Sequence, residues 1–159
     1  MIKALVSDVW HVLFFPKDFE IRGHSDEIAQ KIVGKNNPSF FDTYFLNQEL
    51  LDYFVSIKKQ HQLKLALFSS GTMYKEPELQ PLLSPIFDKV FSSSAIRYQK
   101  NDPASYRYLS EQLNVALSEL LFVDDSLRNI EAAREAGGVA IHYHDNQQVM
   151  NAIDSVLNR

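Results

Sequence analysis

The sequence contains no cysteine, and this absence removes several classes of chemistry. A chain of 159 residues without cysteine has no disulfide framework, no thiol nucleophile and no cysteine-based metal site. It also lacks any apolar run near the roughly 20 residues that a membrane-spanning helix needs. Its formal net charge of −4 gives no basic field to attract nucleic acid. We therefore expect neither a membrane nor a nucleic acid as a partner.

The composition is that of a folded domain with its own core. Hydrophobic residues make up 45% of the chain and aromatic residues 12%, which is typical of globular proteins. The length suits a single core. The first apolar run begins almost at Met1 and leaves no room for a signal peptide. We expect one domain over residues 1–159, in a cytoplasmic protein.

Short apolar runs recur along the chain and predict buried β-strands. They lie at residues 2–7, 63–69, 119–124 and 138–143, with a weaker run at 89–93. Segments with helical periodicity, or with helix start and stop signals, alternate with them at 47–62, 102–114, 126–138 and 146–159. This alternation predicts an α/β fold, a Rossmann-like parallel sheet with helices on both faces.

Residues 14–46 interrupt this alternation. The segment is rich in Phe, Pro, Asn and Gly, has room for two short helices, and lies between the first strand and the helix before the second. We predict that it is a small cap insert over the carboxyl ends of the strands. Its phenylalanines either line a substrate pocket or pack the cap onto the core or onto a second copy of the chain. These residues are Phe14, Phe15, Phe19, Phe40, Phe41 and Phe45.

Chemically reactive side chains follow the ends of the predicted strands. Asp8 follows the first strand and Ser69 ends the second. Asp124 and Asp125 end a third strand, and Lys100 precedes a predicted helix. Each residue alone could be a turn former, a helix cap or a solvated lysine. In a parallel sheet, however, their positions meet at one edge, which would place a carboxylate, a hydroxyl, an ammonium and an acidic pair together.

Such a group of side chains suits phosphoryl transfer. A carboxylate such as Asp8 can attack phosphorus and form an aspartyl-phosphate. Because the nucleophile and the phosphate are both anions, a divalent cation is needed between them. Asp8 and a residue of the acidic pair offer the hard oxygen ligands that Mg²⁺ prefers. Lys100, the Ser69 hydroxyl and nearby backbone N–H groups would hold the phosphoryl oxygens.

Four stretches resemble, in order, the four motifs of the haloacid dehalogenase superfamily, whose members are mostly Mg²⁺-dependent phosphohydrolases. They are SDVWHVLF, LALFSSGT, YQKNDPASY and LFVDDSLRNIEAAREAG. The resemblance implies a Rossmann-like fold with a cap after the first motif, Mg²⁺ as cofactor and a small organic phosphate as substrate. The resemblance leans toward a branch similar to the N-terminal domain of soluble epoxide hydrolase and a bacterial sugar-phosphate phosphatase.

The resemblance also implies a role for each candidate residue. It implies Asp8, Ser69 and Lys100 as catalytic residues, with Asp8 as the nucleophile. It implies that Ser69, Ser70, Gly71 and Lys100 bind the phosphate group. The implied Mg²⁺ ligands are Asp8, the backbone carbonyl of Trp10, Asp125, and Asp124 either directly or through water.

The first motif departs from the usual Asp-x-Asp-Gly of the superfamily. In the superfamily motif, the second Asp is the general acid and base. In this sequence Trp10 occupies the position of that Asp, and His11 occupies the position of the glycine. General acid–base catalysis is typically worth about 10²–10⁴-fold in rate, and indole cannot supply it. His11 either takes over proton transfer or packs within the loop.

Three functions therefore stay open at the level of sequence. The first is a Mg²⁺-dependent phosphohydrolase, which the motifs favour. The second is a non-catalytic protein of the same fold that binds a phosphorylated ligand or a partner. The third is a dehalogenase-like hydrolase that attacks carbon, which the pair Asp124–Asp125 argues against, because the dehalogenases lack that pair.

Overall fold

The computed structural model describes residues 1–17, 39–72 and 76–158. Its main sheet consists of β1 (Ala4–Ser7), β4 (Lys64–Ser69), β5 (Lys89–Ser92), β6 (Leu120–Asp124) and β7 (Val139–His142). All neighbouring strands pair in parallel, in the order β5-β4-β1-β6-β7. A separate antiparallel pair joins β2 (Phe14–Pro16) to β3 (Tyr44–Leu46). The predicted parallel α/β sheet is confirmed.

The helices in the described part of the chain connect these strands, except the last one, which follows β7. They are α1 (Phe40–Thr43), α2 (Gln48–His61), α3 (Gln80–Leu83), α4 (Ser93–Ile96), α5 (Pro103–Leu113), α6 (Leu127–Ala136) and α7 (Asn146–Leu157). Local signals set their ends: the Asn47 side chain accepts a hydrogen bond from the Leu50 N–H at the start of α2, and α6 ends at Gly137, whose φ of 104° favours glycine. Of the described helices, none is long and apolar enough to cross a membrane.

Both faces of the main sheet are buried, which explains why its strands are almost continuously apolar. Successive side chains of a strand point to opposite faces, so Leu65 and Leu67 of β4 join one core cluster while Ala66 and Phe68 join the other. Helices α2 and α7 contribute to the first cluster, and α5 and α6 to the second. The predicted helices on both faces are therefore confirmed.

Strand β1 lies at the centre of the sheet, where the strand order changes direction. The chain builds β4 and then β5 on one side of β1, and afterwards crosses to build β6 and then β7 on the other side. The carboxyl ends of β1, β4 and β6 therefore meet at the switch point, where α/β proteins bind their ligands. This topology brings the residues that follow these three strands to one place.

The described parts of the predicted insert 14–46 form the β2–β3 pair and the short helix α1. Its aromatic side chains pack on one another: Phe14 is fully buried and meets Phe40 edge to face at 5.3 Å between ring centroids. Phe15 stacks on Phe45 at 5.5 Å. The remainder of the predicted insert, residues 18–38 with Phe19, lies outside the described residues. Of the two expected helices, α1 is described.

Replacing a core phenylalanine should cost far more stability than replacing one at the surface. Phe54 of α2 is 0% exposed, whereas Phe45 of β3 is 41% exposed. We expect Phe54→Ala to lower the free energy of unfolding by about 3–5 kcal/mol, because it removes buried apolar area and leaves a cavity. Phe45→Ala is the matched control, and urea unfolding measures both. Equal losses would contradict the assignment of α2 to the core.

Candidate active site

The carboxyl edge of the main sheet holds a buried ammonium between two buried carboxylates. Lys100 Nζ lies 2.7 Å from Asp8 Oδ1 and 2.7 Å from Asp124 Oδ2. All three side chains are buried. Asp8 follows β1, Asp124 ends the neighbouring strand β6, and Lys100 lies in the loop before α5. The structure thus brings together three residues that lie far apart in the sequence.

Backbone hydrogen bonds fix the position of Asp8. Its N–H donates to the Val123 carbonyl of β6 at 2.7 Å, which continues the β1–β6 pairing by one residue. The N–H of Val9 donates to Asp8 Oδ1 at 2.6 Å. This contact and the ion pair with Lys100 both engage Oδ1, so the carboxylate is held in one orientation.

Asp124 is held even more firmly. Its Oδ1 accepts hydrogen bonds from the Ser126 N–H and from Asn129 Nδ2, each at 2.9 Å, while its Oδ2 pairs with Lys100. Asn129, in the first turns of α6, is a site residue that sequence reasoning missed. The available signal was its place five positions after Asp124 on the following helix, where an amide can reach back to the strand end.

Three carboxylates converge here in a way that suits a hard cation. One ligand oxygen each from Asp8, Asp124 and Asp125 lie within 4.8 Å of one another. Asp125 is partly exposed, and its backbone carbonyl contacts His142 Nε2 at 2.8 Å. Mg²⁺ takes oxygen ligands, and commonly one or two carboxylates together with phosphate oxygens. The donor set therefore fits Mg²⁺.

The charges at this edge are not balanced by the protein alone. Burial raises the pKa of Asp8, and the charge of Asp124 raises it further against the opposing effect of Lys100. Burial and Asp124 likewise raise the pKa of Asp125. Burial acts to lower the pKa of Lys100, but the charges of Asp8 and Asp124 outweigh it, so this pKa lies above its usual value. Three carboxyl groups beside one ammonium give this edge an excess of acidic groups, which a bound cation can balance.

The predicted phosphate loop lies at the end of β4. Ser69 is fully buried, and its Oγ accepts a hydrogen bond from the Gly71 N–H at 3.2 Å, which leaves its own O–H hydrogen as a donor. Ser70 is exposed, and its carbonyl accepts from Ser93 Oγ at 3.4 Å. The roles assigned to Ser69, Ser70 and Gly71 stay predictions.

The Trp10 side chain packs against the base of the insert. Its ring lies 4.8 Å from the ring of Tyr44 and 6.3 Å from that of Phe40, centroid to centroid. His11 is exposed, has a left-handed backbone with φ of 56°, and its ring meets the Phe15 ring at 6.1 Å. Its charge acts to lower the pKa of Asp125. Trp10 thus has a packing role, and its carbonyl as a metal ligand stays a prediction.

Comparison with known proteins assigns the chain to a family. The model of the haloacid dehalogenase-like hydrolase family matches residues 13–137, which is most of the chain. The chain belongs to the haloacid dehalogenase-like hydrolase family. The match includes Ser69, Lys100, Asp124 and Asp125 but begins after Asp8. The family resemblance read from the four motifs, and the assignment to a family of hydrolases, are confirmed.

Several curated proteins are similar over part of their length. Enolase-phosphatase E1 of Methylococcus capsulatus is 34% identical over 51% of this chain and 38% of its own length. Sesquiterpene phosphatase astK of Aspergillus oryzae is 34% identical over 38% of this chain and 31% of its own. Drimenol cyclase drtB of Aspergillus calidoustus is 24% identical over 70% of this chain but only 22% of its own. The aligned regions thus span well under half of these three relatives.

Solved structures share the fold over nearly the whole chain. A predicted HAD-like family hydrolase from Porphyromonas gingivalis has a TM-score of 0.72 and 19% identity, and the match covers 100% of this chain and 99% of that one. A HAD family enzyme from Bacteroides thetaiotaomicron, crystallised with magnesium and inorganic phosphate, has a TM-score of 0.65 and 15% identity, with 91% and 95% covered. At these identities the likeness shows the fold.

Removing the ammonium should destabilise the site, and a cation should restore part of the loss. In Lys100→Met, Asp8 and Asp124 would keep their hydrogen bonds but would face each other without a counter-charge, and breaking a buried ion pair in this way costs about 3–5 kcal/mol. We expect a lower midpoint of urea unfolding in EDTA, and a partial recovery when Mg²⁺ is added. Lys3→Met is the control, because the Lys3 side chain is 61% exposed and its ion pair with Glu119 is screened by solvent. A loss no larger than the control's would show that the buried pair is not needed for stability.

Proposed function

We propose that this chain is a Mg²⁺-dependent phosphohydrolase that transfers the phosphoryl group of a small organic phosphate to Asp8. One observation carries the proposal: a buried ammonium, Lys100, holds Asp8 and Asp124 at 2.7 Å each, with the Asp125 carboxylate beside them at the same sheet edge. A carboxylate nucleophile, a cation for phosphoryl oxygens and an acidic metal site are the parts that this chemistry requires.

Each side chain has a proposed task in the first half of the reaction. Asp8 attacks phosphorus with Oδ2, because Val9 N–H and Lys100 already engage Oδ1. The P–O bond to the leaving group breaks as the bond to Asp8 forms, giving an aspartyl-phosphate and an alkoxide, which takes its proton from water because Trp10 stands where the usual acid would be. Lys100 and the Ser69 hydroxyl hold the phosphoryl oxygens while their charge redistributes.

Mg²⁺ would be held by Asp8, Asp125 and the Trp10 carbonyl, with Asp124 as a neighbour. The ion would reduce the repulsion between the carboxylate nucleophile and the phosphate. Asp124 already uses both of its oxygens for Ser126, Asn129 and Lys100, so we assign it the task of orienting Lys100 and contacting Mg²⁺ through water. The magnesium in the Bacteroides thetaiotaomicron structure supports this cofactor.

The second half of the reaction, hydrolysis of the aspartyl-phosphate, should be the slow step. Water must attack the aspartyl-phosphate, and a base must take its proton, but the position of the usual carboxylate holds Trp10. The indole ring packs on Tyr44 and Phe40. It has an N–H donor but no group that can accept or release a proton near neutral pH. We therefore propose that hydrolysis of the aspartyl-phosphate limits turnover, unless His11 supplies the base.

The names of the relatives support a phosphoric ester as substrate. An enolase-phosphatase and a sesquiterpene phosphatase are among them. We propose that residues 1–159 form a single domain and that residues 14–46 are its small cap. A cap of this size leaves the site accessible to a sizeable substrate or to a second copy of the chain. A dehalogenase-like function is less well supported, because the three convergent carboxylates suit a metal. A non-catalytic phosphate-binding protein is the remaining rival, and Trp10 is the residue that favours it.

The primary test is a screen of phosphomonoesters with and without Mg²⁺. We expect turnover in Mg²⁺, loss of turnover in EDTA, and at least a 10³-fold loss in Asp8→Asn, on the order of what removing a nucleophile costs. Asp52→Asn is the matched control, because Asp52 is an exposed carboxylate on α2. Retained turnover in purified Asp8→Asn would place the chemistry on another residue.

Calorimetry with Mg²⁺ separates a failed metal site from a failed reaction. The native chain should bind the ion and Asp125→Ala should bind it much more weakly, because that variant removes a ligand. Equal affinity in both would refute the proposed metal site. Binding of Mg²⁺ and phosphate without any turnover or phosphoenzyme would favour the non-catalytic rival.

Trp10 should make the two chemical steps unequal. Attack by Asp8 on a nitrophenyl phosphate needs little acid assistance, whereas hydrolysis of the phosphoenzyme needs a base. A rapid-mixing assay should therefore show a burst of nitrophenol followed by slow turnover, and activated esters should react faster than alkyl phosphates.

Trp10→Asp and His11→Ala identify the base in the same assay. If no base is present, Trp10→Asp should raise the slow rate and His11→Ala should leave it unchanged. If His11 is the base, His11→Ala should lower the slow rate. Thermal unfolding must accompany Trp10→Asp, because loss of the ring can leave a void. Equal rates for alkyl and activated esters, with no burst and no effect of either change, would refute a role of both residues.

A further inference from the structure

A closed ring of side-chain hydrogen bonds joins the start of α2 to the start of α7. Asn47 donates from Nδ2 to Asn146 Oδ1 at 2.7 Å, and Asn146 donates from Nδ2 back to Asn47 Oδ1 at 2.9 Å. The Tyr143 hydroxyl donates to the same Asn146 Oδ1 at 2.9 Å. The proposed reaction uses none of these three side chains, so the ring needs another explanation.

Asn47 also grips the loop that follows Asp8. Its backbone N–H donates to the Leu13 carbonyl at 2.7 Å, and its Nδ2 donates to the Val12 carbonyl at 2.9 Å. A backbone carbonyl can only accept, so the contact with Val12 fixes which way the Asn47 amide points. One residue therefore holds two successive carbonyls of the loop, while Asn146 holds that residue.

The loop passes this constraint on to the nucleophile. The N–H groups of Leu13 and Phe14 both donate to the Val9 carbonyl, at 3.0 and 2.9 Å. The N–H of the same Val9 donates to Asp8 Oδ1 at 2.6 Å. Hydrogen bonds that are linked by the backbone of the loop thus connect Asn146 and Asn47 to the carboxylate of Asp8.

We propose that Asn47 is a positioning residue for Asp8, held in place by Asn146 and Tyr143. The inference rests on the proposed phosphoryl transfer, because it assigns the ring a task in that reaction. Small displacements of reacting groups cost large factors in rate. Asn47 acts on the loop behind the proposed nucleophile and has no part in the proposed phosphate binding. Its loss should therefore lower the rate of phosphoryl transfer to Asp8, measured in the first turnover, and leave the affinity for the ester nearly unchanged.

Asn47→Asp separates this task from the capping of α2. The new carboxylate can still accept from the Leu50 N–H, as the native side chain does, and an acid is favourable at a helix N-terminus. It cannot donate to Val12. We expect the rate constant for first-turnover release of nitrophenol at saturating ester to fall about tenfold or more, with the ester concentration that gives half of the maximal first-turnover rate within about twofold of the native value.

Gln48→Glu is the matched control. It makes the same amide-to-acid change one residue later, on a side chain that is exposed and donates to Asp52. Its first-turnover rate constant should equal that of the native chain. Asn146→Ala leaves the cap of α2 intact and should reproduce the effect of Asn47→Asp. The double variant should be no slower than the worse single one, because both changes break the same ring.

Trp10 gives a readout that does not depend on turnover. It is the one tryptophan of the sequence, and it lies in the loop that Asn47 holds. Quenching of its fluorescence by acrylamide should increase in Asn47→Asp and Asn146→Ala, but not in Gln48→Glu. Thermal unfolding of each variant shows that the measurements are made on folded protein.

The outcomes distinguish this inference from the proposed function. If the native chain turns over no phosphate ester, the proposed function fails, and Trp10 quenching still decides whether the ring holds the loop. Unchanged quenching in both ring variants would overturn the inference. A first-turnover release that loses amplitude in proportion to the unfolded fraction but keeps its rate constant, or an equal loss of rate in Gln48→Glu, would also overturn it. A fall in the first-turnover rate constant with stronger quenching in folded protein would support it.

Discussion

The ammonium of Lys100 is the charge on which the arrangement of the sheet edge depends. Two buried carboxylates within reach of each other are strongly unfavourable without compensation, because burial removes the water that would solvate them. Lys100 compensates Asp8 and Asp124 together, at 2.7 Å each. This is possible only while β1, β6 and the loop before α5 keep their relative positions. The apolar faces of the sheet provide that rigidity.

Most of the fold could be predicted from the sequence because its signals are local. The strands are apolar throughout, since both of their faces are buried, and the helices carry caps such as Asn47 and stops such as Gly137. The meeting of Asp8 with Asp124 followed from one further rule, that parallel strands end at a shared edge. The strand order itself was not needed for this, only that both strands belong to the same sheet.

The parts of the site that could not be predicted depend on contacts across the chain. Asn47 and Asn146 are 99 residues apart, and neither lies in a motif, so no local pattern indicates that they pair. The sequence predicts that Lys100 binds the phosphate, but it does not indicate that Lys100 bridges two carboxylates, because this depends on the path of its loop. Asn129 differs from these residues, because it lies only five positions after Asp124 and its place on α6 is a local signal that an amide can orient this carboxylate.

Trp10 shows how packing and chemistry compete at one position. The ring joins the loop after Asp8, the proposed nucleophile, to Tyr44 and Phe40 of the insert. A carboxyl group in its place would have aromatic neighbours, and such surroundings disfavour ionisation and raise a carboxyl pKa. A raised pKa suits a general acid near neutral pH, but the same exchange removes the contacts that hold the insert. A tryptophan at position 10 therefore stabilises the packing of the insert, whereas a carboxyl group there would favour proton transfer. One side chain cannot do both.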